Sequence, residues 1–145
     1  MFKPYSAEMA GFSSAVDEDT PGQEASRYLE HYWRESSRHA YLMNDGGTNL
    51  GFYLVNSHSV VGDDVSAIAE FYVLSRYRRL RLGQTAASEI LRRHGPDWEI
   101  AILSDNVAAI AFWGKLVTDV AQGTIKRLIH TEQGEPDRVV LRFNV

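Results

Sequence analysis

The chain has 145 residues, 44% hydrophobic and 23% charged, with a formal net charge of -4; that suits one domain, residues 1–145, with a sizeable core, and it argues against a general nucleic-acid binder. Cysteine is absent, which excludes a disulfide framework and a thiol nucleophile. The histidines, His31, His39, His58, His94 and His130, show no metal-ligand spacing, so no metal is expected.

Residues 1–19 are poorly patterned, with Phe2 to Tyr5 a candidate first strand. Thr20-Pro21-Gly22-Gln23 fits a capping box with proline at the first helical position. Tyr28, Leu29, Tyr32 and Trp33 then form an apolar stripe that reads as core packing. Residues 39–43 and 48–57 flank Asn44-Asp45-Gly46-Gly47, a hairpin signal.

Val65 to Leu74 is strand-like. Simple alternation puts Val65, Ala67, Ala69, Phe71 and Val73 on one face and Ser66, Ile68, Glu70, Tyr72 and Leu74 on the other. Both faces are largely apolar, as in a central strand covered on both sides. Glu70 is the exception. A carboxylate there is paired, exposed at a splayed strand end, or functional, because burying it ionised is costly.

Ser75 to Thr85 is a basic, glycine-containing turn ahead of a helix predicted over Gln84 to His94. The first N–H groups of a helix have no internal partner and sit at the positive end of its dipole, so such a turn suits a phosphate. Arg76, Arg78, Arg79 and Arg81 would add forked donors; the other reading is a solvated surface turn. Gly95-Pro96 ends the helix. Trp98 to Leu103 is a second apolar strand, and Ser104-Asp105-Asn106 supplies N-cap side chains for a helix from Val107 to about Leu116. Thr124 to Thr131 and Arg138 to Val145 bracket another hairpin. Strand, helix, strand, helix implies a parallel pair, here between antiparallel hairpins, and hence a mixed, twisted sheet.

From about residue 39 to 117 the chain resembles the GCN5-related N-acetyltransferase (GNAT) superfamily. The family's cofactor loop, Arg/Gln-x-x-Gly-x-Gly/Ala, is matched by Arg78-Arg79-Leu80-Arg81-Leu82-Gly83; its Asn-x-x-Ala element by Asn106-Val107-Ala108-Ala109, followed by Phe112-Trp113. Glu70-Phe71-Tyr72-Val73-Leu74 and Trp98-Glu99 look closest to a bacterial subgroup of predicted acetyltransferases. The resemblance implies an α/β (α+β) GNAT fold: a mixed central sheet whose strands four and five form a splayed parallel pair, flanked by helices.

It also implies transfer of an acetyl group from the co-substrate acetyl-CoA to a primary amine of a small molecule, amino acid or peptide. Glu70 would be the catalytic base. The cofactor would lie along Phe71, Tyr72 and Val73, with the Val73 N–H facing the thioester carbonyl. Its pyrophosphate would meet Arg78, Arg79, Leu80, Arg81, Leu82, Gly83 and Gln84, and Asn106 and Trp113 would hold the pantetheine end. Tyr32 or Trp33 would be available to line an acceptor pocket. Three departures stand out: Arg81 replaces a loop glycine, Trp113 replaces a tyrosine used as general acid, and Ala101 replaces a glutamate, with Glu99 two residues away in reserve. The alternative is a catalytically silent acyl-CoA-binding or sensing module. A cytoplasmic protein without nucleic-acid or membrane partners is expected, with a homodimer through the C-terminal strands in view.

Overall fold

The computed structural model describes residues 21–62 and 65–145. Helix α1 (Pro21–Arg34) is followed by β1 (His39–Asp45), β2 (Thr48–Asn56) and β3 (Ser66–Val73). A 3-10 turn (Ser75–Tyr77) leads into α2 (Leu82–Arg93), then β4 (Asp97–Leu103), α3 (Val107–Val120), β5 (Lys126–His130) and β6 (Arg138–Asn144). The expected strand at Phe2 to Tyr5 and the cap at Thr20 lie outside the described residues.

The six strands form one sheet in the order β1-β2-β3-β4-β6-β5. All neighbours are antiparallel except β3 and β4, which are parallel with α2 as their crossover. This is the expected mixed sheet. Gly46 and Gly47 close the first hairpin with φ of 54° and 86°, the positive values a two-residue turn of this kind needs at both positions. Gly95, at φ 107°, reverses the chain after α2. The Trp98 indole N–H donates to the carbonyls of Leu91 and Gly95, which fastens that helix end to β4.

Two apolar clusters cover the two faces. The larger joins Ala87, Ile90 and Leu91 of α2 and Trp113, Leu116 and Val117 of α3 to Ile68, Ile100, Ile102, Val139 and Leu141. The smaller gathers Tyr32, Phe52, Leu54 and Tyr72, with Tyr28 and Leu29 against it. The stripe on α1 is therefore core, as expected, except for Trp33, which is 71% exposed. Helix α3 runs a turn beyond the expected end near Leu116. Gly114 inside it costs about 1 kcal/mol of helix propensity, and the packing of Leu116, Val117 and Val120 overrides that.

Two irregularities set up the site. On β2–β3, Leu54 pairs with Glu70 but Val55 pairs with Ile68, so Ala69 is an extra, bulged residue. The bulge corrects the simple alternation. Ile68 faces the larger cluster together with Phe71 and Val73, while Tyr72 faces the smaller one. Second, β3 and β4 pair only at Ser66–Trp98, Ala67–Glu99 and Ile68–Ile100, although β4 stays paired with β6 from Asp97 to Leu103. Beyond Ile68 the two strands part. No helix among the described residues is long and apolar enough to cross a membrane.

Candidate active site

The parting of β3 from β4 leaves one edge of β3 without a strand partner among the described residues. Antiparallel pairing alternates which residues bond to the neighbour. Leu74 N–H donates to Leu50 O at 2.9 Å, so Leu74 and, two residues back, Tyr72 direct their N–H groups at β2. Phe71 and Val73 direct theirs into the gap. The Val73 carbonyl on that side accepts from Arg78 Nε at 2.8 Å, and the Arg78 guanidinium also lies over the Tyr72 ring. What remains facing the gap is the N–H and C=O of Phe71 and the N–H of Val73.

This edge borders a groove of about 450 Å³ lined by Phe71, Tyr72, Val73, Arg78, Arg79, Arg81, Gly83, Gln84, Asn106, Ala108, Ala109, Phe112 and Trp113. At its far end is the N-terminus of α2. Arg81 caps the helix at φ 60° and ψ 0° and makes no side-chain capping bond. Arg79 is also left-handed, at φ 67°. Side-chain-bearing residues avoid that region, at a cost of about 1 kcal/mol each, and such conformations collect at functional sites. The N–H groups of Leu82, Gly83 and Gln84 have no helical acceptor. A Cβ on Gly83 would meet Val73 Cγ2 at 3.4 Å and the rings of Phe71 and Phe112 at 3.7 and 3.8 Å. Leu80 and Leu82 do not line the groove with their side chains: Leu80 is 62% exposed, and Leu82 packs on the core.

A second cavity, of about 350 Å³, lies in the splay itself and shares Phe71, Asn106, Ala109 and Trp113 with the groove. Glu70 lines it. Among the described residues its carboxyl has no ion pair and no hydrogen bond. Burial alone pushes its pKa up to about 8. Glu70 shares the face of Leu54 and Tyr72, as alternation predicts, and the bulge at Ala69 sets that face opposite Ile68, away from α2 and α3.

Asn106 is an N-cap: its side chain accepts from Ala109 N–H at 3.1 Å. That leaves its amide NH₂ toward the junction of the two cavities. Trp113 is buried and stands edge-on to Phe71, 5.1 Å between ring centres, and Phe71 in turn stacks with Phe112. Trp113 thus walls the junction, where it offers an indole N–H but no acidic proton.

Glu99, the reserve base, is already committed. Its carboxylate accepts from the N–H groups of Val60 and Val61 and sits 3.8 Å from Arg142 Nε. It ties down the segment after β2 while also lining the splay cavity. Tyr32 also serves structure, accepting from Asn56 Nδ2 at 3.1 Å, and neither it nor Trp33 lines either cavity. Sequence reasoning missed His58, Val60 and Arg138, which line the outer end of the splay cavity. They come from a loop and a late strand, and no local pattern marks them.

The model of the acetyltransferase (GNAT) family matches residues 7–117. Similar solved structures include an acetyltransferase from Thermus thermophilus, at 13% identity and TM-score 0.66, covering 85% of this chain and 74% of that one. The ribosomal-protein-S18-alanine N-acetyltransferase of Escherichia coli is 18% identical with TM-score 0.57, covering 82% and 76%. A GNAT family acetyltransferase from Elizabethkingia anophelis with acetyl-CoA bound is 12% identical with TM-score 0.58, covering 88% and 85%. No curated protein matches the sequence.

Proposed function

The chain belongs to the GNAT acetyltransferase family and is an acyltransferase, and from that premise we propose that it moves the acetyl group of acetyl-CoA onto the primary amine of a small molecule, amino acid or peptide. One observation carries the reading. The edge of β3, the N-terminus of α2 and the carboxyl of Glu70, none of them partnered among the described residues, open onto two cavities that share four lining residues.

The residues present fit acetyl-CoA. Phe71 offers an N–H and a C=O to the amides of a pantetheine arm, as one strand offers them to another. Leu82, Gly83 and Gln84 offer N–H groups to a pyrophosphate, with the side chains of Arg79 and Arg81 as counter-charge. Phe112 and Trp113 cover the arm with apolar surface, and the Asn106 amide donates at the junction. When bound, acetyl-CoA supplies a thioester with an electrophilic carbonyl carbon and a stable thiolate as leaving group. The Val73 N–H would be the donor for the carbonyl oxygen where negative charge develops.

Glu70 handles the proton. An amine with a pKa of about 10 is mostly protonated at neutral pH and cannot attack until the proton leaves. With its own pKa near 8, Glu70 is basic enough to accept that proton and is partly ionised at the working pH. Trp113 cannot return a proton to the departing sulfur, so that proton comes from Glu70 or water. A silent acyl-CoA sensor would have no use for a carboxyl that lines the splay cavity without a partner among the described residues, which speaks against that alternative. Among the neighbours, the one named for ribosomal-protein alanine keeps a peptide amine within the acceptor range.

The test is acetyl-CoA-dependent release of free thiol across a panel of amines, amino acids and peptides. The protein has no cysteine to give background. Release that requires one amine supports transfer; acetyl-CoA binding without release for any amine would restore the sensor reading.

A further inference from the structure

The outer end of the splay cavity holds four groups that carry charge or titrate: His58, Glu70, Glu99 and Arg138. Around them the wall is Ala67, Ala69, Ala101 and Leu103. Glu99 is neutralised by two backbone N–H groups and Arg142. Among the described residues Glu70 has no charged partner, and burial holds it largely neutral at pH 7. Arg138 carries a permanent full charge. Its side chain is 29% exposed, and its one ion pair among the described residues runs from Nη2 to Glu135 Oε2 at 3.2 Å, on a residue 52% exposed. A pair of that kind contributes little and uses one of the five guanidinium donors.

Register puts Arg138 over the same opening as Glu70. Leu103 pairs with Arg138, and Ala101 with Val140, so Leu103, Ala101 and Arg138 share one face of the sheet with Glu99. That is the face opposite the cluster of Ile100, Ile102 and Val139. Glu70 turns to this same face. In the sheet order β6 lies two strands from β3, across the stretch where β3 and β4 have separated, and Glu70 and Arg138 line the same cavity of about 350 Å³. On its other side Arg138 pairs in register with His130, whose Nε2 is buried without a hydrogen bond and is 3.7 Å from Glu132. The cavity therefore holds a guanidinium whose ion pair among the described residues is with the exposed Glu135, beside a Glu70 carboxyl that burial keeps mostly protonated at pH 7.

We propose that the acceptor carries a carboxylate beside its amine, and that Arg138 reads it. The inference rests on the acetyl-transfer reading and narrows it to amino acids and close analogues. An acceptor enters as an ammonium ion, which Arg138 repels unless the same molecule brings an anion. A carboxylate accepts two parallel bonds from the guanidinium fork, which fixes the far end of the acceptor and leaves its amine to Glu70. A plain amine leaves Arg138 without its partner.

Calorimetric titration of three probes decides the matter without turnover. The probes are CoA itself, CoA joined through its sulfur and an acetyl group to the amine of alanine, and the same conjugate made with alaninamide. The carboxylate conjugate is expected to bind the wild type about tenfold or more tighter than the neutral one, as a bidentate charge-assisted contact supplies. In Arg138→Gln that ratio should fall to within about twofold, with CoA affinity unchanged, which also reports an intact fold. Equal affinity of the two conjugates for the wild type overturns the proposal, and so does a ratio that survives in Arg138→Gln. If Arg138→Gln does not fold, the wild-type comparison alone decides. Failure of CoA itself to bind would instead sink the acetyltransferase reading, and this inference with it.

Discussion

Glu70 shows how one side chain can carry stability and chemistry in opposite senses. Its folded pKa, about 8, is raised above the ordinary carboxylate value by burial. Between those two values the native state binds more protons than the unfolded chain, so stability falls as pH rises. At 1.36 kcal/mol per pKa unit the loss is at most about 5 kcal/mol, and less where water enters the open cavity. Glu70→Gln, neutral at every pH, should remove this slope. The variant should match the wild type near pH 4 and exceed its denaturation midpoint near pH 9; parallel curves from pH 4 to 9 would mean that the carboxyl is not buried as described. Activity should move the other way. The wild-type kcat should rise through an apparent pKa near 8, and Glu70→Gln should lose about 10²-fold or more in kcat with acetyl-CoA affinity intact. The presence of a lone carboxyl on an apolar strand was legible in the sequence. So was its place on the face of Tyr72, but its separation from Ile68 was not, because that depends on the bulge at Ala69, and alanine carries no sign of a bulge.

At the scale of the element, the turn from β3 into α2 explains why arginine at position 81 is unexpected. The demand is on the backbone: φ is 60° there, a value glycine adopts freely and arginine does not. Arg81→Gly should therefore relieve about 1 kcal/mol of strain and return part of it through the more flexible unfolded chain, for a net change within about 1 kcal/mol. If the guanidinium serves phosphates, the same change should weaken CoA several-fold and leave pantetheine, which lacks the pyrophosphate, unaffected. Equal losses for both ligands would point to a distorted helix start instead. Gly83 separates space from charge. A methyl group there meets Val73, Phe71 and Phe112 at ordinary contact distances, so Gly83→Ala should bind CoA nearly as the wild type does. Gly83→Glu should abolish binding, because it extends a negative charge into the groove. The order of loop, asparagine helix and aromatic pair was legible because each is local in the chain. The left-handed pair Arg79 and Arg81 was not, since neither residue type announces a positive φ.

For the whole molecule, the central fact is that the sheet is divided by its own topology. Strands β1 to β3 and strands β4, β6 and β5 join through three parallel pairs, and past Ile68 the two parts separate. The alternation of strand and helix made the parallel pair legible, but the length of the pairing is a tertiary property. So is the outer end of the cavity, assembled from His58, Glu70 and Arg138, which are far apart in the chain. A ligand that pairs with the open edge of β3 while resting on α3 would bridge the two parts. Acetyl-CoA at a hundred times its Kd should then stabilise the fold by about 2.7 kcal/mol, roughly 5–10 °C in melting temperature for a chain of this size. Amide exchange locates the effect. In the free protein the amides of Tyr72 and Leu74, bonded to β2, should exchange slowly, while those of Phe71 and Val73, which face the gap, should exchange fast. Acetyl-CoA should slow Phe71 and Val73 selectively. Protection of these two amides before the ligand is added would mean that the edge is already paired and the gap closed; no change on adding it would place the ligand elsewhere.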